Sequence, residues 1–259
     1  MSGAQHTPAP ALLTAANLTR RFGGLVAVDD VMLSLHSGEV HAVIGTNGAG
    51  KSTLINILSG ETAPSSGTLH FDGQNIASWS QTRRARAGIG RSYQRTTIFP
   101  SLPVLENCRL AAQAMQQSAW RIWERASSCT YSTAAAHQAL HDAGLSTHVA
   151  MAAGSLSHGQ QRQLELAMCL ATKPRVLLLD EPLAGMGAEE SERMLSLLEQ
   201  IKLSHAVLLV EHDMDAVFRV ADRITVMVNG RVIASDVPAA IRDNPEVRLA
   251  YLGDEHATS

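Results

Sequence analysis

Val31, Leu33 and Leu35 alternate with Met32 and Ser34, so this stretch predicts a strand with one buried face. Leu12–Arg20 predicts a short strand before it, and Val40–Ile44 is a compact apolar run that stops at a glycine-rich loop. Lys51–Leu58 has a helical pattern that ends at Ser59-Gly60, a C-cap pair. Gly67–Asp72 returns as a strand with Leu69 and Phe71 on one face, and Ile89–Tyr93 is strand-like. The character changes near Thr96. From Val104 to His148 the chain is rich in Ala, Gln, Ser and Leu, carries no β pattern, and predicts three or so helices. Then come a helix over Gly159–Ala171, a strand over Val176–Leu179, a helix over Glu189–Ile201, a strand over Ala206–Val210 and a helix over Met214–Val220. Ile224–Val228 and Val232–Ala234 flank Asn229-Gly230, a strong hairpin signal. Strands alternating with helices predict a mainly parallel sheet, with antiparallel additions at both ends and a helical insertion in an α/β core.

The chemistry starts at the loop after Val40–Ile44. Gly45-Thr46-Asn47-Gly48-Ala49-Gly50-Lys51-Ser52 matches GxxxxGK[ST], with a strand before it and a helix, opening at Lys51-Ser52-Thr53, after it. Glycines let such a loop wrap so that backbone N–H groups face inward around phosphates. The helix N-terminus adds positive potential at the same point. Lys51 can reach the β- and γ-phosphates of a nucleotide, and the Ser52 hydroxyl can ligate Mg²⁺. Downstream, Val176–Leu179 runs into Asp180-Glu181. A carboxylate at a strand tip can hold Mg²⁺, and its neighbour can polarise an attacking water. Alone, this pair also fits a strand followed by a solvated acidic turn; beside a phosphate loop the catalytic reading is the stronger.

Further short elements complete an ordered set. Leu156-Ser157-His158-Gly159-Gln160-Gln161-Arg162 resembles the signature motif of ABC-type ATPases, commonly LSGGQ. Gln94 resembles that family's Q-loop glutamine, His212 its switch histidine, and Phe22 the aromatic that stacks on adenine. Taken singly, Phe22 and His212 fit core positions better; their order along the chain reverses that. The resemblance spans Leu12 to Asp254. It implies a P-loop NTPase core of ABC-ATPase type with an antiparallel β subdomain and an inserted helical subdomain. The RecA-like core would cover about 11–95 and 160–236, the helical insertion about 96–159, and a C-terminal segment 237–254.

The resemblance also implies roles. ATP and Mg²⁺ would be bound, with Ser52, Gln94 and Asp180 toward the metal and Glu181, His212 and Gln94 catalytic. Family ATPases pair head to tail, so Ser157, His158, Gly159 and Gln160 would meet the γ-phosphate held by a second ATPase subunit, alike or different. Two integral-membrane permease subunits and an external solute-binding protein are the further partners implied, and the cytoplasmic face of the cell membrane the location. Ile98, Phe99, Leu102 and Val104 are candidate exposed apolar contacts for a membrane partner's helix, or else core of the insertion. Two positions depart from the family pattern. His158 replaces a glycine of the signature, and Gly187 stands where an aspartate is common in the D-loop.

Arg21–Val28, Gly88–Gln94, Val210–Met214 and the tail Asn244–Asp254 resemble the LivG type of branched-chain amino acid importer ATPases. ATPases of urea and short-amide importers and of lipopolysaccharide export share much of this, and a soluble ABC ATPase of iron–sulfur assembly has a similar size. DNA-repair members carry a long coiled coil between loop and signature, and no sustained heptads lie between Lys51 and Ser157 here.

Composition trims the possibilities. A net charge of −3 gives no basic excess pointing to nucleic acid. Cys108, Cys129 and Cys169 are odd in number, far apart and form no CxxC pair, which argues against a disulfide framework or zinc site and favours buried thiols in a reducing cytosol. The longest apolar runs fall far short of the roughly 18 residues a membrane span needs. Met1–Pro10 lacks a basic start and a long apolar stretch and reads as a short disordered leader, with 255–259 as a tail.

Overall fold

The computed structural model describes residues 10–94, 97–115 and 130–255, the last five by backbone alone. Most of the expected leader, Thr96, Cys129 with the rest of 116–129, and the tail beyond 255 lie outside the described residues.

Ten strands and nine α-helices are described. β1 (Leu13–Phe22), β2 (Leu25–Leu35), β4 (Ser66–Phe71) and β5 (Gln74–Asn75) form an antiparallel sheet in the order β2-β1-β4-β5. β3 (Val40–Gly45), β6 (Ile89–Arg91), β7 (Val176–Asp180), β8 (Ala206–Val210), β9 (Arg223–Val228) and β10 (Arg231–Asp236) form a second sheet, ordered β10-β9-β3-β8-β7-β6. All its pairings are parallel except β9 with β10, which turn on the predicted Asn229-Gly230. Both turn residues have the positive φ that this hairpin needs, 49° and 83°.

The continuous apolar runs of β3, β7 and β8 are fully buried because both faces of this sheet are covered. The two-residue period divides them. Val176, Leu178, Ala206, Leu208, Val210 and Val43 point toward the antiparallel sheet and α1 (Lys51–Ser59), which contributes Leu54, Ile55, Ile57 and Leu58. Leu177, Leu179, Val207, Leu209, Ala42 and Ile44 point to the opposite core. There they meet α6 (Ala188–Ile201), whose Met194, Leu195, Leu197, Leu198 and Ile201 make one apolar stripe.

α2 (Gln81–Ala87) sits between β5 and β6. In the segment expected to be helical, α3 (Val104–Ala114) and α4 (Thr130–Asp142) pack on each other and on α5 (His158–Ala171). α7 (Met214–Val220), α8 (Pro238–Asp243) and α9 (Pro245–Glu255) complete the chain. No helix among the described residues is long and apolar enough to cross a membrane. Cys108 and Cys169 are free, and burial pushes both thiols up.

The structure divides the two readings of Ile98, Phe99, Leu102 and Val104: Val104 is fully buried in the core, Ile98 and Leu102 are partly buried, and Phe99, 51% exposed, is the large apolar side chain left facing outward in that turn. The turn is shaped by Asn107, itself fully buried. Its Oδ1 accepts from Phe99 N at 2.7 Å, and its Nδ2 donates to the carbonyls of Phe99 at 3.2 Å and Pro103 at 3.0 Å.

Candidate functional site

The loop from Gly45 to Gly50 threads between two hairpins. A side chain at Gly45 would put its Cβ 2.2 Å from the Met227 carbonyl oxygen, and one at Gly50, where φ is +99°, would put it 2.3 Å from that of Ala27. Only glycine fits these two close approaches. Gly50 also caps α1, so Lys51 begins the helix. The Lys51 side chain is buried and folds back over the loop, donating to the carbonyls of Gly45 at 2.5 Å and Thr46 at 3.0 Å. Burial lowers its pKa, while the nearby charges of Glu181 and Asp180 oppose that.

Beside it lies a cavity of about 480 Å³, lined by Asn47, Gly48, Ala49, Gly50, Lys51, Ser52 and Thr53 on one side and by Leu25–Ala27, Gln94, Glu181 and Asn229 on the others. Glu181 follows β7 with φ of 49°, a left-handed conformation that costs a non-glycine residue on the order of 1 kcal/mol and is typical of functional sites. Its N–H donates to Val210 O at 2.9 Å, which turns the side chain out of the sheet, and its Oε2 accepts from Gln94 Nε2 at 2.9 Å. Asp180 sits behind, buried, with Arg91 Nη2 3.5 Å from its Oδ2. Burial raises its pKa and Arg91 works against that. A buried cation over a glycine cradle, an exposed hydroxyl at Ser52 and two carboxylates make a donor set that fits a phosphate chain with a hard divalent cation.

Phe22, His212 and the signature residues stand outside this cavity, the signature residues as expected for groups that serve a facing subunit. Phe22 lies outside the cavity wall at the turn of the β1–β2 hairpin, 46% exposed, with the Arg20 guanidinium 4.4 Å from its ring centre. His212 is also outside, largely exposed, and its N–H donates to Glu211 Oε2 at 3.2 Å. Ser157 begins α5 in a separate recess of about 200 Å³ that also includes Gly159, Gln160, Glu190 and Arg193. There Ser157 and Gln160 form a capping box, each side chain bonding the other's backbone N–H. His158 Nε2 donates to Ala184 O at 3.2 Å, so it points at the turn after β7 rather than into the recess.

A family described as ABC transporter matches residues 28–184, and one described as branched-chain amino acid ATP-binding cassette transporter matches residues 231–257. The high-affinity branched-chain amino acid transport ATP-binding protein BraF of Pseudomonas aeruginosa is 38% identical over 94% of this chain and 98% of its own. The protein LivG of Escherichia coli, described in the same terms, is also 38% identical with the same coverage. The chain belongs to the ABC transporter family. A solved nucleotide-free ATP-binding cassette from an ABC transporter superposes with a TM-score of 0.84 at 28% identity, covering 93% of this chain and 99% of that one. The ADP conformation of the cassette MJ1267 gives 0.83 at 27% identity, covering 95% and 100%. This ABC ATPase therefore has the fold that its motifs implied, and nucleotide binding comes with the family.

Several connections in this ABC ATPase escape motif reading. Arg162, four residues beyond His158 on α5, donates to the carbonyls of Tyr93 at 3.1 Å and Gln94 at 2.6 Å and pairs with buried Glu165. It thus ties the Gln94 segment to the helix that starts at Ser157. Glu211 is fully buried; its Oε1 accepts from Leu183 N at 2.9 Å while Oε2 takes His212 N. Burial pushes its carboxyl up, with the two amide donors opposing. Arg91 bonds Asn56, Ser59 and Glu61 and faces Asp180, joining α1 to the tip of β7. The sequence carries a hint only for Arg162, which closes the signature stretch.

Proposed function

We propose that this chain is the ATP-binding and ATP-hydrolysing subunit of an importer for branched-chain amino acids or related small amides, driving separate membrane permease subunits from the cytoplasmic face. The observation that carries it is the match of residues 231–257 to the branched-chain amino acid cassette family. That segment lies outside the region shared with ABC transporters at large, so it speaks to the branch rather than to ATP binding. The full-length similarity to BraF and LivG supports the same branch.

The roles follow the motifs, and the cavity lining supports those of the residues around the phosphate loop. Lys51 and the backbone N–H groups of Gly45–Ser52 hold the β- and γ-phosphates, with Thr53 beside them. Ser52, Gln94 and Asp180 hold Mg²⁺, which neutralises charge on the phosphoryl oxygens when bound. Glu181 accepts a proton from the attacking water, and Gln94, already bonded to it, helps place that water. His212, on the exposed turn after β8, orients the γ-phosphate once its loop moves in. Phe22 stacks on the base. Ser157, His158, Gly159 and Gln160 serve the facing subunit's nucleotide. A dimeric cassette, MJ0796, at TM-score 0.73 and 25% identity, supports pairing as the working state. The helical unit of α3 and α4 with the Phe99 turn is the side offered to the permease, separate from the two-sheet core that holds the phosphates.

The deciding experiment purifies the intact membrane complex and measures ATP hydrolysis with a series of solutes delivered by its binding protein. Stimulation by leucine, isoleucine or valine, or by a small amide, is the expected result. Stimulation by none of these, with activation by an unrelated solute, overturns the assignment of cargo.

A further inference from the structure

Glu190 is the third residue of α6 and does two things at once. Within its own helix it stands where a capping-box glutamate stands, three residues beyond Gly187, the residue that caps α6, and the Gly187 N–H helps lower its pKa. Across the recess its Oε1 accepts from Ser157 Oγ at 2.8 Å, and the same carboxylate lies against Gly159, whose backbone N–H helps lower its pKa. A Cβ added to Gly159 would come within 2.4 to 2.8 Å of the Glu190 carboxyl group, so the carboxylate sits directly against that glycine's backbone. One anion therefore lies at the N-termini of two helices. These bonds hold its pKa below the ordinary glutamate value, Ser157 being the largest influence.

Ser157 Oγ and the Gly159 N–H are the groups that the function proposed above assigns to the γ-phosphate of a facing subunit. An incoming phosphate and the Glu190 carboxylate are both anions and need the same donors, so they cannot share the recess. We propose that Glu190 is an internal latch: in the free subunit its carboxylate fills the phosphate seat on Ser157 and Gly159, and it must swing off before ATP held by a facing subunit can dock. The inference rests on that reading of the signature motif. It adds an autoinhibitory contact, set against premature closure, that the motif alone does not contain. Gly187 remains available to keep the carboxylate on its own helix when it leaves Ser157.

The test uses the full chain in a Glu181→Gln background, in which bound ATP persists. ATP-dependent self-association is followed by sedimentation velocity over a concentration series. Glu190→Gln keeps the capping geometry, since glutamine serves at that position as glutamate does, but removes the charge that competes with phosphate. It is expected to lower the protein concentration for half association by about tenfold. Glu190→Ala should shift it the same way, with ATP affinity of the free subunit unchanged and the thermal transition of Glu190→Gln close to that of the parent. Association that is unchanged, absent in both, or weaker in the Glu190 variants overturns the latch. A third chain adds Ser157→Arg to Glu190→Gln. Loss of association there supports the seat. Persistence there, whatever the Glu190 variants do, overturns the reading of Ser157 as the phosphate seat, and the latch with it.

Discussion

His41 lies on β3, the strand that delivers Gly45 to the phosphate site, and its side chain is buried between the strands. Nδ1 is 3.0 Å from Ser34 O, which can only accept, so Nδ1 carries the proton. Nε2 is then left to accept from Thr225 Oγ1 at 2.7 Å, and Thr225 Oγ1 in turn lies 2.8 Å from Ser235 Oγ. The neutral ring is fully satisfied, and a second proton would put a charge in a buried site. Burial is the main cause that lowers its pKa from 6.5 to about 4, against a smaller opposing effect of the Ser34 carbonyl. The sign follows. Above about pH 6.5 the ring is neutral folded and unfolded, and this stability is fully present. As pH falls from about 6.5 to about 4 the unfolded chain takes up a proton that the folded chain refuses, and stability is lost. At about 1.4 kcal/mol per pH unit the loss over that window approaches 3 kcal/mol. Glu39, Glu165, Asp180 and Glu211 have raised pKa values and act with the opposite sign, so the wild-type curve alone does not isolate the effect. The assay is urea denaturation of wild type and His41→Gln at intervals from pH 7.5 to pH 4. The variant is expected to be less stable at neutral pH and to close the gap as pH falls. Parallel curves would refute the argument.

Glu181→Gln is expected to cut turnover by about 10² to 10⁴ while ATP still binds, read by phosphate release and by fluorescent nucleotide titration; near wild-type turnover would remove Glu181 as the base. Lys51→Ala takes away the buried cation over the loop and should weaken ATP affinity by more than about tenfold, measured by calorimetry, with unchanged affinity counting against the phosphate site. Asn107→Ala leaves the buried N–H of Phe99 without its acceptor and should cost about 1 to 3 kcal/mol in chemical denaturation. It should also open the Phe99–Pro103 turn to limited proteolysis; equal stability and equal cleavage would contradict the bonding described here.

What the chain disclosed before its structure depended on the range of the signal. β3, β7 and β8 were legible as unbroken apolar runs, and the phosphate loop as fixed residue types at fixed spacing. The first half of β2 was missed, although Gly23-Gly24 is a hairpin signal in its own right; Phe22 pairs directly with Leu25 across it. α2 was missed because Gln81–Ala87 has no apolar stripe. Its buried residue is Arg84, whose Nη1 donates to the carbonyls of Ile57 and Leu58 at the end of α1. Caps at Ser80 and Gly88 were the available cue. Val104 fitted either an exposed contact or the core of the insertion; it opens α3 and points inward, which decides for the core. Glu190, Glu211 and Arg91 were illegible for a different reason. The partners that give them their place, Ser157, Leu183 and Asp180, lie tens of residues away in sequence, and nothing local marks a side chain that crosses to another element.

These hidden contacts converge on one turn. The chain from Glu181 to Gly187 is closed by Ala184 N on Glu181 O at 3.2 Å and Met186 N on Leu183 O at 3.1 Å. Glu181 faces the phosphate cavity at its start, Leu183 N rests on Glu211 beside His212, Ala184 O takes His158, and Gly187 at its end caps the helix that carries Glu190. One run of seven residues, Glu181 to Gly187, therefore joins the cavity that Glu181 lines to the recess that Glu190 lines, and its contacts on both sides come from elements far apart in sequence.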